Sequence, residues 1–232
     1  MKFKTGIVLI LSATTIGIDT SLITTSITAD AQEEKSPTLS SNSVTQRTVT
    51  VYPSDFLTYF QRNGSAANFN YDIQNFVQTL TPNMKDQSGN VTLKTKVDMS
   101  QNFTLSGSIN LGDKSSESGG ADGVGFLFHP GNTDVVGVKG GAAGIGGVKG
   151  AFGFKLDTYY NYDGDPYFYP DPREFSPGQA YGAFVDGTSG VAQTLEESAQ
   201  PISQPSNNQF KPFKMSYDGT SKMMTETYDG KI

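Results

Sequence analysis

The feature that most constrains the fold is a series of short runs in which apolar and polar residues alternate. Residues 91–97 and 103–111 show this pattern most clearly. A period of two is typical of half-buried β-strands, and the short polar break between these runs predicts that they pair antiparallel. Asp218-Gly219 and Asp229-Gly230 favour hairpin turns. Further strands are predicted at residues 49–52, 123–128, 135–138, 181–185, 211–217 and 222–228.

The sequence lacks the periodicity of a long amphipathic helix. Many short strands separated by turn residues are typical of two packed antiparallel sheets. We therefore predict an all-β sandwich that begins near residue 48. At under about 200 residues, the segment 48–232 is long enough for one domain with a sizeable core.

The N-terminal segment has the layout of a secretory signal peptide. A basic start is followed by an apolar stretch, and Ala29-Asp30-Ala31 forms a small-residue cleavage site. We predict a signal peptide over residues 1–31 and a disordered linker over residues 32–47. The alternative for residues 1–31 is a buried strand or helix. The chain has no cysteine, which favours a protein exported by a bacterium.

The charge balance argues against two classes of partner. The chain has a formal net charge of −6, and its three arginines, Arg47, Arg62 and Arg173, are scattered along the sequence. Nucleic acids and anionic membranes are bound through clusters of basic residues. Beyond the N-terminal segment, no apolar run is long enough to cross a bilayer as a helix. The sequence therefore predicts no nucleic-acid partner and no membrane insertion.

One stretch, residues 151–161, combines an alternating strand with a cluster of oxygen ligands. Asp157 and Tyr159 share a strand face, and Asn161 follows at the same spacing. Calcium prefers carboxylate, amide and carbonyl oxygens. Asp157, the Tyr159 carbonyl, Asn161 and one later aspartate could supply that set. The alternative is a solvated acidic turn without a ligand. An EF-hand is excluded, because its required Gly and Glu positions are not matched.

Two motifs in this region resemble those of legume-type (L-type) lectins. Phe-Lys-Leu-Asp-Thr-Tyr-Tyr-Asn at residues 154–161 is similar to their metal-binding strand and loop. Gly-Ala-Asp-Gly-Val-Gly-Phe-Leu-Phe at residues 120–128 is similar to the strand that follows their sugar-binding Asp. The variant that it most resembles is the lectin module of serine-rich surface adhesins of staphylococci. The resemblance runs from about residue 49 to the C-terminus and implies a jelly-roll β-sandwich.

The resemblance also implies a carbohydrate site. Asp122 would accept hydrogen bonds from sugar hydroxyls, and Asn161 would donate from its amide. Backbone N–H groups near Gly141 would complete the site, with Tyr160 stacking on the sugar. In this family the peptide bond before the sugar-binding Asp is cis, so the Ala121–Asp122 bond is expected to be cis.

The implied cofactor is a single Ca²⁺. Its expected ligands are Asp157, the Tyr159 carbonyl, Asn161 and either Asp165 or Asp171, because both Asp-Pro pairs follow the motif at acceptable distances. Lys155 stands where plant lectins carry a Glu that binds a transition metal. An ammonium there would repel a second cation, so no Mn²⁺ is expected.

These features predict a non-enzymatic, calcium-dependent carbohydrate-binding module. The resemblance implies that it is secreted or attached to the cell wall of a Gram-positive bacterium and mediates adhesion to sialylated host glycans. The family carries further strands beyond the Asp229-Gly230 turn, so the domain is expected to be C-terminally truncated. Two alternatives stay open: a structural spacer in a surface protein that binds no glycan, and a glycoside hydrolase, which needs a carboxylate pair in a cleft.

Overall fold

Alternating sequence patterns become β-strands throughout the computed structural model, which describes residues 6–15, 20–31, 47–205 and 207–231. These residues contain one short α-helix, Phe56–Tyr59, and short 3-10 turns at Pro53–Asp55, Ser65–Asn68, Ser116–Ser118, Gly140–Ala142, Arg173–Phe175 and Glu196–Ser198. The strands are β1 Gly6–Thr15, β2 Thr20–Ala31, β3 Arg47–Val51, β4 Phe60–Gly64, β5 Val77–Thr81, β6 Gln87–Leu93, β7 Val97–Asp98, β8 Phe103–Asn110, β9 Asp122–His129, β10 Ala151–Asp157, β11 Tyr181–Gly187, β12 Gln193–Thr194, β13 Gln200–Pro201, β14 Phe210–Asp218 and β15 Met223–Tyr228.

The strands form two antiparallel sheets. The larger sheet has the order β12-β11-β10-β9-β1-β6-β4, with β13 paired to β11 and β7 to β1. The smaller sheet has the order β15-β14-β8-β2-β3, with β5 paired to β2. The sheets pack through aromatic side chains: Phe126 of β9 lies 4.9 Å, between ring centres, from Phe213 of β14. The molecule is therefore the predicted all-β sandwich.

The two N-terminal strands occupy central positions. β1 lies between β9 and β6, and β2 lies between β8 and β3. Both fall within residues 1–31, so the structure gives this segment the strand conformation that was the alternative to a signal peptide. Export and cleavage of the segment stay predictions. The predicted linker, residues 32–47, lies outside the described residues except for Arg47, the first residue of β3.

Two predictions about individual strands were wrong. Residues 91–97 and 103–111 do not pair: β6 pairs with β1 and β4 in the larger sheet, whereas β8 pairs with β14 and β2 in the smaller one. Alternation fixes which side chains face inward but not which strand lies alongside. Residues 135–138 form a loop rather than a strand. The hairpin at Asp218-Gly219 is confirmed, since it joins β14 to β15.

In the described residues, no helix has both the length and the apolar character needed to cross a membrane.

Candidate functional site

Strand pairing brings the two lectin-like motifs together in the larger sheet, where β9 begins and β10 ends. Asp157, the last residue of β10, lies opposite Gly123 of β9. Just beyond the strand, the Thr158 backbone N–H and side-chain hydroxyl both donate to the Asp122 carbonyl, at 2.8 and 3.1 Å. The Ala121–Asp122 peptide bond is cis, which confirms the expectation for this position. Asp122 is therefore held against the end of β10.

A buried ammonium ties two carboxylates together. Lys155 Nζ lies 2.8 Å from Asp157 Oδ2 and 2.8 Å from Asp171 Oδ1, and all three side chains are almost fully buried. Burial alone would lower the pKa of Lys155, but the charges of Asp157 and Asp171 outweigh burial, and the pKa is raised. Burial raises the pKa of Asp157 to about 7, although Lys155 acts against this shift. The lysine is therefore charged and forms an ion pair with each of the two aspartates.

Asp171 closes the loop that follows β10. The Asn161 N–H donates to Asp171 Oδ2 at 2.8 Å, and the Asp171 N–H donates to the Asn161 carbonyl at 3.0 Å. The Tyr181 hydroxyl of β11 donates to Asp171 Oδ1. Asp171 is thus part of the cluster that contains Asp157, Lys155 and Asn161. Asp157, Asn161 and Asp171 were predicted members of this site, but the bonds from Lys155 and Tyr181 to Asp171 were not.

Asp122, Gly141 and Asn161 converge from three segments of the chain. Asn161 Nδ2 donates to Asp122 Oδ1 at 3.4 Å. A Cβ atom on Gly141 would lie 2.8 Å from Asn161 Oδ1 and 2.7 Å from the Phe168 ring, so any other residue would have to displace these two side chains. Burial raises the pKa of the Asp122 carboxyl to about 6, and the charge of Asp171 adds to this shift.

Two oxygens at this junction are left without partners. Asp122 Oδ2 and Asn161 Oδ1 are buried, and neither accepts a hydrogen bond from any residue that the structure describes. Buried acceptors without a donor are uncommon in folded proteins and cost free energy. Two such oxygens beside buried carboxylates are therefore suited to a cation or to the hydroxyl groups of a ligand.

Asp165 lies apart from the cluster. Its carboxylate Oδ1 accepts hydrogen bonds from the N–H groups of Tyr167 and Phe168, at 2.7 and 3.2 Å, in an exposed turn. The carboxylate caps its own turn, and none of its hydrogen bonds in the described residues reaches Asp157 or Asn161. Of the two candidates that the sequence left open, only Asp171 is brought to Asp157.

Tyr160 does not lie where a sugar could stack on it, so that expectation requires correction. The residue is only 7% exposed and packs in a cluster with Phe175 and Tyr181. Its neighbour Tyr159 is 40% exposed, and the Tyr159 N–H donates to Asp157 Oδ1 at 3.1 Å. The aromatic ring that touches the Gly141–Asn161 junction is Phe168. The sequence analysis did not predict this contact.

The residues present suit a hard cation, with one restriction. Among the described residues, no three carboxylate, imidazole or thiol side chains surround a common point. A calcium ion here would have to draw on Asn161 Oδ1 and the Tyr159 carbonyl in addition to Asp157 and Asp171. Carbonyl, amide and water oxygens are normal calcium ligands, so this donor set fits the ion.

Comparison with known proteins identifies the family. The family model described as "Legume lectin beta-barrel domain" matches residues 51–232. The chain belongs to the legume-type lectins. Among its lectin-domain relatives are proteins named "Serine-rich adhesin for platelets" from Staphylococcus aureus. The protein of strain MRSA252 is 40% identical over 201 residues, which is 82% of this chain and 15% of that protein. The protein of strain MSSA476 is 40% identical over 199 residues, 81% of this chain and 9% of that protein. The lectin chain thus spans a small part of these relatives.

Proposed function

We propose that this domain is a calcium-dependent carbohydrate-binding module that acts in adhesion. The observation that carries the proposal is the convergence of Asp122, Gly141 and Asn161, with two buried acceptor oxygens that lack donors. Membership of the legume-type lectins and similarity to adhesins point to binding rather than catalysis.

Asp122, Gly141 and Asn161 each have a distinct role in binding a sugar. Asp122 Oδ2 accepts a hydrogen bond from a sugar hydroxyl and so gains the donor that it lacks in the described residues. Asn161 Nδ2 and the Gly141 backbone N–H donate to hydroxyl oxygens. The Phe168 ring, which lies against Gly141, offers an apolar edge to the C–H groups of the sugar. Sugars expose both polar hydroxyl groups and apolar C–H groups.

The charge of the site favours one divalent cation. When ionised, Asp122, Asp157 and Asp171 carry three negative charges, and Lys155 offsets one of them, which leaves two. Burying uncompensated charge is costly. Ca²⁺, when bound, would offset the remaining charge and hold the loop after β10 in place. Asp157, Asp171, Asn161 Oδ1 and the Tyr159 carbonyl are the proposed ligands.

The same lysine argues against a second metal. The Lys155 ammonium bonds Asp157 and Asp171 directly, so a transition-metal ion beside it would meet a fixed positive charge at short range. We infer that Mn²⁺ adds no stability beyond that from Ca²⁺. Melting curves of the metal-free protein with Ca²⁺, with Mn²⁺ and with both would reveal a second site as an additional rise in Tm.

The decisive experiment is a glycan array probed with and without calcium. The protein should bind a defined set of glycans in Ca²⁺ and lose binding in chelator. Asp122→Ala should abolish binding but keep most of the calcium-dependent rise in Tm. Asp134→Ala removes an exposed carboxylate elsewhere and should bind as the unchanged protein does. Absence of glycan binding under every metal condition would favour the structural-spacer alternative.

The setting of this activity is proposed from the relatives. Proteins named as serine-rich adhesins for platelets suggest that this domain faces host glycoproteins from the surface of a Gram-positive bacterium. Sialylated glycans are the proposed ligands, so sialidase treatment of the target cells should reduce attachment. Unchanged attachment would show that the bound glycans need no sialic acid.

A further inference from the structure

A cavity lies between the two sheets, on the side where β15 forms the edge of the smaller sheet. It has a volume of about 300 Å³. Phe154 and Phe184 line it from the larger sheet, and Met224, Glu226 and Tyr228 of β15 line it from the smaller one. This volume is at the lower end of the range for small-molecule sites. None of these residues belongs to the cluster at Asp122 and Asp157.

Glu226 is an ionisable residue at a buried position of this cavity, where an apolar residue is expected. Residues 224, 226 and 228 share the inward face of β15, and Glu226 stands opposite Met215 of β14, which is fully buried. The Glu226 side chain is only 5% exposed, and neither carboxylate oxygen has a hydrogen-bond partner among the described residues. An apolar residue would fill the same position at less cost. A buried carboxyl without a partner is therefore a candidate for binding something from outside.

The cavity walls restrict what that ligand can be. The rings of Phe154 and Phe184 meet edge to face at 5.3 Å, which leaves an aromatic surface opposite the carboxyl. Aromatic faces attract cations and also pack against apolar groups. Once ionised, Glu226 would repel an anion and attract a cation.

We propose that this cavity binds a small amphiphilic amine, with its ammonium on the Glu226 carboxylate and its apolar body against Phe154 and Phe184. The ammonium supplies the donors that both oxygens lack. The exposed Lys231 lines the same cavity, but its ammonium donates to the Pro201 carbonyl at 3.2 Å and makes no hydrogen bond to Glu226.

Three matched probes test the proposal on the full chain: 2-phenylethylamine, 2-phenylethanol and phenylacetate. They share an aromatic body and differ in the charge of the head group. At pH 7, calorimetric titration should show the amine binding at least tenfold more tightly than the alcohol, with no binding of the acid. Glu226→Gln keeps the shape of the side chain and should remove the preference for the amine. Asp122→Ala should leave all three affinities unchanged.

A second measurement does not depend on a variant that folds. Binding of the amine to the unchanged protein labelled with ¹³C at glutamate carboxyls should shift the Glu226 signal, whereas the alcohol should not. Equal affinities for amine and alcohol, absence of binding, or an amine preference that survives Glu226→Gln would each overturn the proposal. Loss of the amine preference in Lys231→Gln but not in Glu226→Gln would also overturn it, by placing the recognition on Lys231.

Discussion

At the scale of single residues, Lys155 decides how the site at the end of β10 is held together. Its ammonium is buried between Asp157 and Asp171, with a distance of 2.8 Å to each. Lys155→Met would leave two buried carboxylates without their cation. We expect this change to lower the free energy of unfolding at pH 7 by about 3–5 kcal/mol. Urea denaturation measures the loss.

The matched control for this lysine is Lys211, which pairs with Asp229 at a partly exposed position. Lys211→Met should cost less than about 1 kcal/mol, because exposed ion pairs contribute little. Excess Ca²⁺ should recover part of the loss in Lys155→Met. Equal denaturation midpoints for the two variants would contradict the structural role assigned to Lys155.

Glu226 should make stability depend on pH. Burial raises its pKa well above the ordinary value of 4.5, so the folded protein keeps a proton that the unfolded chain releases above that pH. Stability therefore falls as pH rises, by about 1.4 kcal/mol per pH unit, until the folded-state pKa is reached. Glu226→Gln lacks this titration, so without ligand it should be more stable than the unchanged protein at pH 8 and similar to it at pH 4. Thermal melts across this range provide the measurement, and parallel curves for the two proteins would refute the assignment.

Residue types near the site could be predicted from sequence, but their surroundings could not. Asp122, Asp157 and Asn161 lie in motifs with fixed spacing, and the fold places them together as the resemblance implied. The choice between Asp165 and Asp171 depends on Lys155 and Tyr181, which only the folded sheet brings to Asp171. The burial of Tyr160 likewise depends on Phe175 and Tyr181, which follow it by more than ten residues.

At the scale of elements, the segment from Asn161 to Asp171 contains both aspartates that the sequence left as alternative calcium ligands. Their positions in this segment distinguish them. Asp171→Asn should weaken calcium binding by an order of magnitude or more, because it removes a buried charge beside Asp157. Asp165→Asn should change calcium affinity little, because that carboxylate caps an exposed turn. Isothermal titration with Ca²⁺ compares the two isosteric variants directly. A larger loss in Asp165→Asn would reverse the assignment.

Strand positions were more predictable than strand partners. The alternating runs predicted β8, β14 and β15 to within one residue of their observed ends, because period-two alternation reports burial of one face. The run at residues 91–97 overlaps β6 only over residues 91–93. Pairing between β14 and β15 was also predictable, because a hairpin turn forces it. The separation of β6 and β8 into different sheets was not, since it depends on β1 and β2 lying beside them.

At the scale of the whole molecule, both sheets depend on the N-terminal 31 residues. β1 joins β9 to β6, and β2 joins β8 to β3, so removing residues 1–31 divides each sheet. A typical domain is stabilised by only roughly 5–15 kcal/mol, so we expect the loss of two central strands to unfold it. We expect residues 32–232 alone to lack a cooperative melt and to aggregate through open strand edges.

A deletion that spares both strands provides the control. Ala31 of β2 lies opposite Arg47 of β3, so the two ends of the intervening segment are held next to each other. Deleting residues 34–41 should leave the melt nearly unchanged, since loop length affects stability weakly. A cooperative melt for residues 32–232 would mean that the strands are dispensable. Cleavage after Ala31, as the sequence predicts, would in turn oblige the processed domain to obtain two strands from elsewhere.

The two hydrogen bonds between Asn161 and Asp171 have an evolutionary consequence. They fix both ends of a surface segment whose interior, residues 162–170, is mostly exposed. Insertions, deletions and substitutions between two fixed ends cost little in folding. Residues 162–166, all exposed, are therefore the exchangeable part of this segment, whereas Tyr167 and Tyr169 are held by backbone hydrogen bonds to Ala192. Descendants of one ancestral domain can diversify the ligands that they recognise while the carboxylates and the lysine beneath stay constant.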